Sequence, residues 1–275
     1  MDLTTVTSVL TPRTRTDLPL RQAGDAWLAG GTWLFSEPQP AVTRLLDLTS
    51  LGWPPARISA DGLSLSATCT LAQLHRLDLP PEWRAAALID PCCRALLGSF
   101  KIWNTATVGG NLCLALPAGP MTALAAALDG TCLIWTPDGG ERRLSVLDFV
   151  RGPQETALRP GEILHRIDLP DAALRRRGLV RRISLSPNGR SGALLIGTSD
   201  AGGAFALTVT ASTRRPVRIG CPALPGADEL AAALDAAIPE EAYYDDVHGA
   251  PDWRRHVTRL LAEEIRRAFD GGTEG

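Results

Sequence analysis

The chain lacks most of what would tie it to a membrane, a nucleic acid or a metal. Its longest apolar stretches, such as Met121 to Leu128 and Cys132 to Trp135, fall far short of the roughly 20 residues that a bilayer-spanning helix requires, so no transmembrane segment is read. Charge of one sign is missing too. The 28 basic residues nearly balance the 30 acidic ones, and the net charge of −2 gives no electrostatic reason to expect nucleic acid or an anionic surface. The six cysteines, at 69, 92, 93, 113, 132 and 221, form no C-x-x-C pair and are followed by no histidine pair, the spacings that zinc and iron–sulfur sites use. Mostly buried, reduced thiols are expected, including adjacent Cys92 and Cys93, since neighbouring cysteines close a strained ring. His75, His165, His248 and His256 share no ligand spacing and read as structural or surface residues. Lysine is almost absent, Lys101 being the single one, which reflects GC-rich coding and not function. The N-terminus carries Asp2 and a run of Thr and Ser where a secretory signal has a basic and then an apolar region, so cytoplasmic residence is expected.

What is present is a sizeable core. At 275 residues with 45% hydrophobic content, the chain suits one large or two modest domains. Arg44 to Leu48 reads as a strand, and Ile58, Asp61-Gly62 and alternating Leu63, Leu65 and Ala67 read as a hairpin. Met121 to Leu128 favours a helix led in by Pro120, followed by a strand from Thr131 to Trp135 and a turn at Pro137 to Gly140. Beyond about Pro170 the texture changes. Arg175 to Arg177 and Gly178 read as a solvated linker, after which Gly192 to Thr198, Ala204 to Ala211 and Pro216 to Cys221 read as a meander of strands. Two helices close the chain. Asp228 is the expected cap of one over Glu229 to Ala237, and Pro251 starts another whose Trp253, Val257, Leu260, Leu261, Ile265 and Ala268 fall at amphipathic spacing, with Glu263 and Arg267 as an i,i+4 pair. The second half is thus an α+β module.

Chemistry concentrates in two glycine-rich segments, Ala29-Gly-Gly-Thr-Trp-Leu34 and Thr107-Val-Gly-Gly-Asn-Leu112. Paired glycines let backbone N–H groups converge on an anion without Cβ atoms in the way, which suits a pyrophosphate, and Thr32, Thr107 and Asn111 add neutral side-chain donors. Neither segment has the G-x-G-x-x-G pattern of a Rossmann loop or the G-K-[ST] ending of a Walker loop. A Gly-Gly-Thr alone is an ordinary turn, and two such segments do not identify the ligand.

A resemblance narrows the reading. The order Ala29-Gly-Gly-Thr32, Thr107-Val-Gly-Gly-Asn-Leu112, Pro117-Ala118, Asp148-Phe149, Gly152, Thr156, Leu158, Gly161-Glu162 and Ile167 resembles the FAD-binding domain of molybdopterin dehydrogenases. Tyr244-Asp-Asp-Val-His-Gly249, followed by Trp253-Arg-Arg-His256, is similar to the closing signature of the same flavoprotein subunits, so the likeness spans nearly the whole chain. It implies an α+β fold: an FAD-binding domain over residues 1–172, in two subdomains of the vanillyl-alcohol oxidase type at about 1–52 and 53–172, then a C-terminal domain at 178–272 with a small antiparallel sheet and helices. It also implies FAD contacts at Ala29, Gly30, Gly31, Thr32, Trp33, Leu34, Thr107, Gly109, Gly110 and Asn111. No catalytic or metal-binding residue is implied.

The same resemblance implies the role of an FAD-binding subunit of a xanthine or carbon monoxide dehydrogenase-like oxidoreductase. Electrons from a molybdopterin-containing large subunit would pass through a [2Fe–2S] small subunit to this FAD and on to NAD+, oxygen or a quinone. Two segments depart from the family pattern: Trp103-Asn104 stands where Arg-Asn is usual, and Pro117-Ala-Gly-Pro120 lacks an acidic residue. Losing the arginine removes a charge and a fork of donors. Two alternatives follow: a flavin-free paralogue acting as a scaffold, and a stand-alone flavin oxidoreductase. Ser184 to Gly192, which lies beside the isoalloxazine in relatives, also matches poorly, and Trp33 and Trp103 are placed to pack on the cofactor.

Overall fold

Parallel pairing opens the chain in this computed structural model, which describes residues 3–271. Asp2 and Gly272, which enter the N-terminal reading and the expected C-terminal boundary, lie outside the described residues. Strands β1 (Ser8–Leu10), β2 (Asp25–Leu28) and β3 (Arg44–Asp47) lie in the order β1-β3-β2, with Val9 and Ala26 both registered on Leu45. β3 stops one residue short of the expected end because Asp47 caps a 3-10 turn, Leu48–Leu51, accepting from the Thr49 N–H at 2.9 Å. Buried Asp25 ties β2 to β3 through Arg44 Nε at 2.6 Å and Nη2 at 2.7 Å. The guanidinium hydrogen bonds hold its carboxyl below the usual range.

A five-stranded antiparallel sheet follows. Its members are β4 (Ala56–Ser59), β5 (Gly62–Ser66), β6 (Thr131–Trp135) and β7 (Glu141–Ser145), then, after a separate ribbon of β8 (Val150–Gly152) and β9 (Glu155–Thr156), β10 (Ile163–Pro170). The order is β4-β5-β10-β6-β7, and the hairpin expected around Asp61-Gly62 closes on the Ser59 and Gly62 pair. Five helices bridge β5 and β6: α1 (Leu71–His75), α2 (Ile89–Ala95), α3 (Phe100–Trp103), α4 (Val108–Leu114) and α5 (Pro120–Ala127). Every residue of α5 is buried, Thr122 included, as its otherwise apolar circumference dictates, and Pro120 occupies its first turn. Single-turn α6 (Val146–Phe149) and α7 (Asp171–Leu174) follow.

The last sheet is an antiparallel meander of β11 (Arg177–Ile183), β12 (Ala193–Ser199), β13 (Phe205–Thr210) and β14 (Val217–Cys221), joined by α8 (Ala227–Ala237) and α9 (Pro251–Asp270). α5 packs on β12 and β13, and α9 also packs on β12. Leu194 and Ile196 accordingly belong to the core around α5, while Ala193 and Leu195 belong to the core under α9. A strand covered on both faces carries a continuous apolar run and no alternation.

Three expectations need correction. The supposed linker at Arg175 to Arg177 leads straight into β11, with Gly178 paired to Thr198. Its charges are neutralised locally: Arg175 bonds Asp171 at 2.7 Å, Arg176 bonds Asp129 at 2.6 Å, and Arg177 lies over the Phe269 ring at 4.8 Å. α8 is capped at Gly226 and not at Asp228, which lies within the first turn. On α9 the buried stripe contains Val257, Leu261 and Ile265 but not Leu260, which is exposed; Arg254 is buried in its place. Among the described residues no helix is long and apolar enough to cross a membrane, and no group of three or more His, Cys, Asp or Glu is arranged to hold a metal. Cys92 and Cys93 are buried, and desolvation pushes the Cys93 thiol up to about 12.

Candidate functional site

The first glycine-rich segment leaves β2 as a turn in which two carbonyls are engaged internally. Gly31 O accepts from Phe35 N–H and Trp33 O accepts from Ser36 N–H, each at 2.9 Å. Among the described residues no internal acceptor receives the N–H of Gly30, Gly31, Thr32, Trp33 or Leu34. Consecutive unpaired N–H groups in a turn form a concave nest for an anion. Gly31 bends the chain with φ at +69°, and a Cβ there would stand 2.5 Å from the Phe35 ring. Gly30 is demanded by packing: its Cβ would meet the Thr105 carbonyl oxygen at 1.7 Å. The first segment therefore rests directly on the chain leading into the second.

That second segment is not a loop but the start of α4. Thr107 is the N-cap, its Oγ1 accepting from Gly110 N–H at 3.0 Å. Val108 N–H donates to Cys69 O at 2.8 Å, Gly109 N–H to Ala67 O at 3.0 Å, and Asn111 N–H to Thr107 O at 3.0 Å. The backbone donors of Val108 to Asn111 are thus committed internally, unlike those of the first segment. Side chains supply what remains. Thr107 Oγ1 is an acceptor in the cap, so its hydroxyl hydrogen stays available, and Asn111 Oδ1 accepts from Met121 N–H at 3.0 Å, leaving its amide hydrogens to donate outward.

Both segments line a cleft of about 600 Å3. Of the ten expected contact residues, Ala29, Gly30, Gly31, Thr32, Trp33, Leu34, Thr107, Gly110 and Asn111 stand on its wall. Gly109 does not: it faces the five-stranded sheet, where its Cβ would meet Ala67 Cβ at 2.4 Å. Leu96, Leu97, Ile102, Leu114 and Leu116 give the cleft apolar sides, and Pro120 closes part of its floor. Trp33 lines it, whereas Trp103 packs against the main core and meets His75 edge-on at 5.4 Å.

Asn188 and Arg190, outside the ten expected contacts, also reach the cleft from the loop between β11 and β12. Local chemistry marks this loop only by a Pro-Asn-Gly turn, and it falls within Ser184 to Gly192, the segment that the resemblance expects beside the cofactor. Its end is fixed by the C-terminal signature. Fully buried Arg254 donates from Nε to Gly249 O and from Nη1 to Gly192 O, both at 2.9 Å, and also reaches Ala211 O and the Asp246 carboxylate. Trp253 sits against Gly192 and Gly249, whose Cβ atoms would lie 2.4 and 2.6 Å from its ring.

A cleft with an N–H nest, a helix start with neutral donors and apolar walls defines a protein that holds a phosphate-bearing aromatic cofactor. Residues 19–172 match the family model described as the FAD binding domain in molybdopterin dehydrogenase, and the chain belongs to that family. It is 29% identical over 136 residues to a xanthine dehydrogenase of Oryza sativa subsp. japonica, a match covering 47% of this chain and 10% of that one. The matched segments span only 10 to 26% of the curated relatives. Among solved structures, the chain is similar to a carbon monoxide dehydrogenase chain from Oligotropha carboxidovorans (TM-score 0.82, 98% of each chain covered) and to a quinoline 2-oxidoreductase chain from Pseudomonas putida 86 (TM-score 0.77, 100% of each). At 21% identity in both cases, that likeness is one of fold.

Proposed function

We propose that the chain is the FAD-binding subunit of a multi-subunit molybdenum hydroxylase. It would take electrons from a [2Fe–2S] subunit fed by a molybdopterin-containing subunit and deliver them to NAD+, oxygen or a quinone. The observation carrying the cofactor half of this reading is the run of uncommitted N–H groups from Gly30 to Leu34, facing the Thr107 and Asn111 side chains across one cleft. The residues present fit an FAD diphosphate: the nest supplies converging donors, and Gly30 and Gly31 keep Cβ atoms out of the way. Bound there, FAD would supply one- and two-electron exchange at its isoalloxazine. The chain's own residues position and shield: the N–H groups of Gly30 to Leu34 bind, Thr107 and Asn111 orient, and Leu96, Leu97, Ile102, Leu114 and Leu116 exclude water. Gly109 acts from behind, letting α4 close on Ala67.

The same reading divides the chain into an FAD-binding part at 1–172, with subdomains at about 1–52 and 53–172 arranged as in vanillyl-alcohol oxidase, and a C-terminal part at 178–272. Of the two cores, the one under α9 lies within 178–272, whereas the one around α5 also takes in Leu194 and Ile196 of β12. It makes the protein a cytoplasmic oxidoreductase subunit that turns over no substrate without its partners, in keeping with the subunit and medium chain named among its relatives.

The deciding measurement is the visible absorption spectrum of the purified chain, with the released cofactor identified by mass after denaturation. Bound FAD near one per chain supports the assignment. A colourless protein that takes up no added FAD overturns it. Reduction of bound flavin by the Mo substrate only when the two other subunits are added tests the relay.

A further inference from the structure

The five-stranded sheet has a second face. Leu63, Leu65, Cys132, Ile167 and Leu169 point into the main core, on the side where α4 packs, so their neighbours along β5, β6 and β10 point the other way. Register sets Arg57, Ser64, Asp168 and Thr131 in one row across β4, β5, β10 and β6, and Ser66, Arg166, Leu133 and Arg143 in the next. Both rows, save Leu133, line a cavity of about 490 Å3 whose wall also holds Trp53 and His165, their rings edge to face at 4.8 Å. It shares no lining residue with the cofactor cleft.

A polar outer face is ordinary for an antiparallel sheet. Two features set this one apart. Asp168 accepts from Ser64 Oγ at 2.7 Å, Arg143 Nη1 at 2.8 Å and Arg166 Nε at 2.9 Å. Burial opposes its charge, yet these bonds hold the carboxyl below the usual range. Two guanidiniums are thereby fixed side by side, each spending one N–H on Asp168 and keeping the others. Positive charge is also in excess. Arg57 is exposed, no described residue pairs with its side chain, and three arginines face only two carboxylates, Asp168 and Asp61 at the hairpin turn. Guanidiniums with spare donors match phosphate oxygens. A bare phosphate would leave most of the cavity empty and both rings uncovered, whereas the volume suits an organic ligand.

We propose that this cavity is a ligand site distinct from the cofactor cleft, taking a mononucleotide with its phosphate on Arg57, Arg143 and Arg166 and its base against Trp53. The site lies on the far face of the sheet from α4, so it stands whether or not the cofactor cleft holds FAD. Its arginines are partly exposed, so each contributes modestly and the binding is sensitive to salt.

Isothermal calorimetry of the full chain at low ionic strength, with AMP, adenosine and inorganic phosphate as separate probes, tests this. AMP is expected to bind more tightly than either of its parts. Arg57→Gln and Arg143→Gln, each checked by its melting curve, are expected to weaken AMP by about threefold to tenfold, and the double variant by more. Arg215→Gln is the control, an exposed arginine outside this cavity whose side chain has no described partner, and it should leave the affinity unchanged. A parent that shows no saturable binding of AMP overturns the proposal. So does AMP binding that ignores both substitutions, as it would if the nucleotide lodged in the cofactor cleft. Inorganic phosphate that binds as tightly as AMP also overturns it, since the arginines would then be a bare anion patch with no place for a base.

Discussion

Replacing Gly30 with alanine tests whether the two glycine-rich segments work as one interlocked site. The new Cβ would stand 1.7 Å from the Thr105 carbonyl oxygen, 2.6 Å from its carbonyl carbon and 3.2 Å from Ala106 Cα. All three are backbone atoms, so no rotamer change relieves the clash. Reaching the 3.0 Å below which real Cβ contacts essentially never fall requires the segment to retreat by 3.0 − 1.7 = 1.3 Å. A shift of that size carries N–H donors beyond the roughly 2.7–3.2 Å range of a hydrogen bond. If two of the five N–H groups from Gly30 to Leu34 lose charge-assisted bonds worth about 1.5–3 kcal/mol each, FAD binding weakens by roughly two to four orders of magnitude. The folding cost is smaller, about 1–3 kcal/mol for an overpacked site. Quenching of FAD fluorescence by the stripped chain reads the first effect, and a thermal melt the second. Gly220→Ala is the control, since nothing lies within 4 Å of its Cβ position. A Gly30→Ala chain that melts like its parent and binds FAD within threefold of it would refute the interlocked geometry.

Three further outcomes follow from the same contacts. Gly109→Ala forces a Cβ to within 2.4 Å of Ala67 Cβ and 2.6 Å of Ala67 O, so it is expected to lower the melting temperature more than Gly220→Ala does, although Gly109 does not face the cleft; an unchanged melt would contradict this packing role. Arg254→Met leaves Asp246 without its buried partner and frees Gly192 O, Gly249 O and Ala211 O, for an expected loss of about 3–5 kcal/mol in a denaturant melt; a loss under 1 kcal/mol would show that the hub is dispensable. His165, stacked on Trp135 at 4.2 Å with a buried, unpartnered Nδ1, is pulled from 6.5 to about 4, first by desolvation and then by the Arg166 charge. The folded chain therefore resists a proton that the unfolded chain accepts below pH 6.5, so this contribution is complete above pH 6.5 and is lost as pH falls toward 4. Because the group is only about half-buried, its worth is discounted to about 1–2 kcal/mol. Stability measured from pH 7 to 4 should fall less steeply in His165→Phe, and identical slopes would rule the effect out.

Local patterns in the sequence predicted elements best where one rule governed. Thr131 to Trp135 is a strand over its expected length, and the Asp61-Gly62 hairpin closes where the turn residues place it. The failures share a cause. Arg175 to Arg177 reads as solvated from its charges alone, but Asp171, Asp129 and the Phe269 ring receive those charges, and two of these partners are far away in sequence. Leu260 fits the helical stripe of α9 yet faces out, while Arg254 is buried because distant carbonyls and Asp246 converge on it. Composition cannot reveal such tertiary compensation. In the candidate site, glycine chemistry was legible in both segments, but not that one uses its N–H groups internally. That depends on Cys69 and Ala67 arriving beside Val108 and Gly109.

This division of labour separates the motif residues that hold ligand from those that hold the fold. Phe149 is fully buried, and Glu162 fastens its loop to β7 by accepting from Arg142 Nε at 2.7 Å and from Arg159 N–H at 2.7 Å. Trp253 and Arg254 serve the β11–β12 loop, and Gly109 serves the closure of α4 on the sheet. None of these residues lines the cleft. Mutating them would change stability and, through Gly192 and Ala67, the position of the cleft walls, without removing a donor from the ligand. Residues Gly30 to Leu34 differ in kind, because their donors have no internal use. Their two glycines also answer to different demands: Gly31 to its left-handed backbone and the Phe35 ring, Gly30 to the carbonyl of Thr105. The approach of Gly30 to Thr105 joins the two groups, since any change that moves the start of α4 also moves the nest. The loading of the cleft with FAD should therefore respond to packing substitutions around Ala67 and Cys69 as well as to changes in the donors themselves.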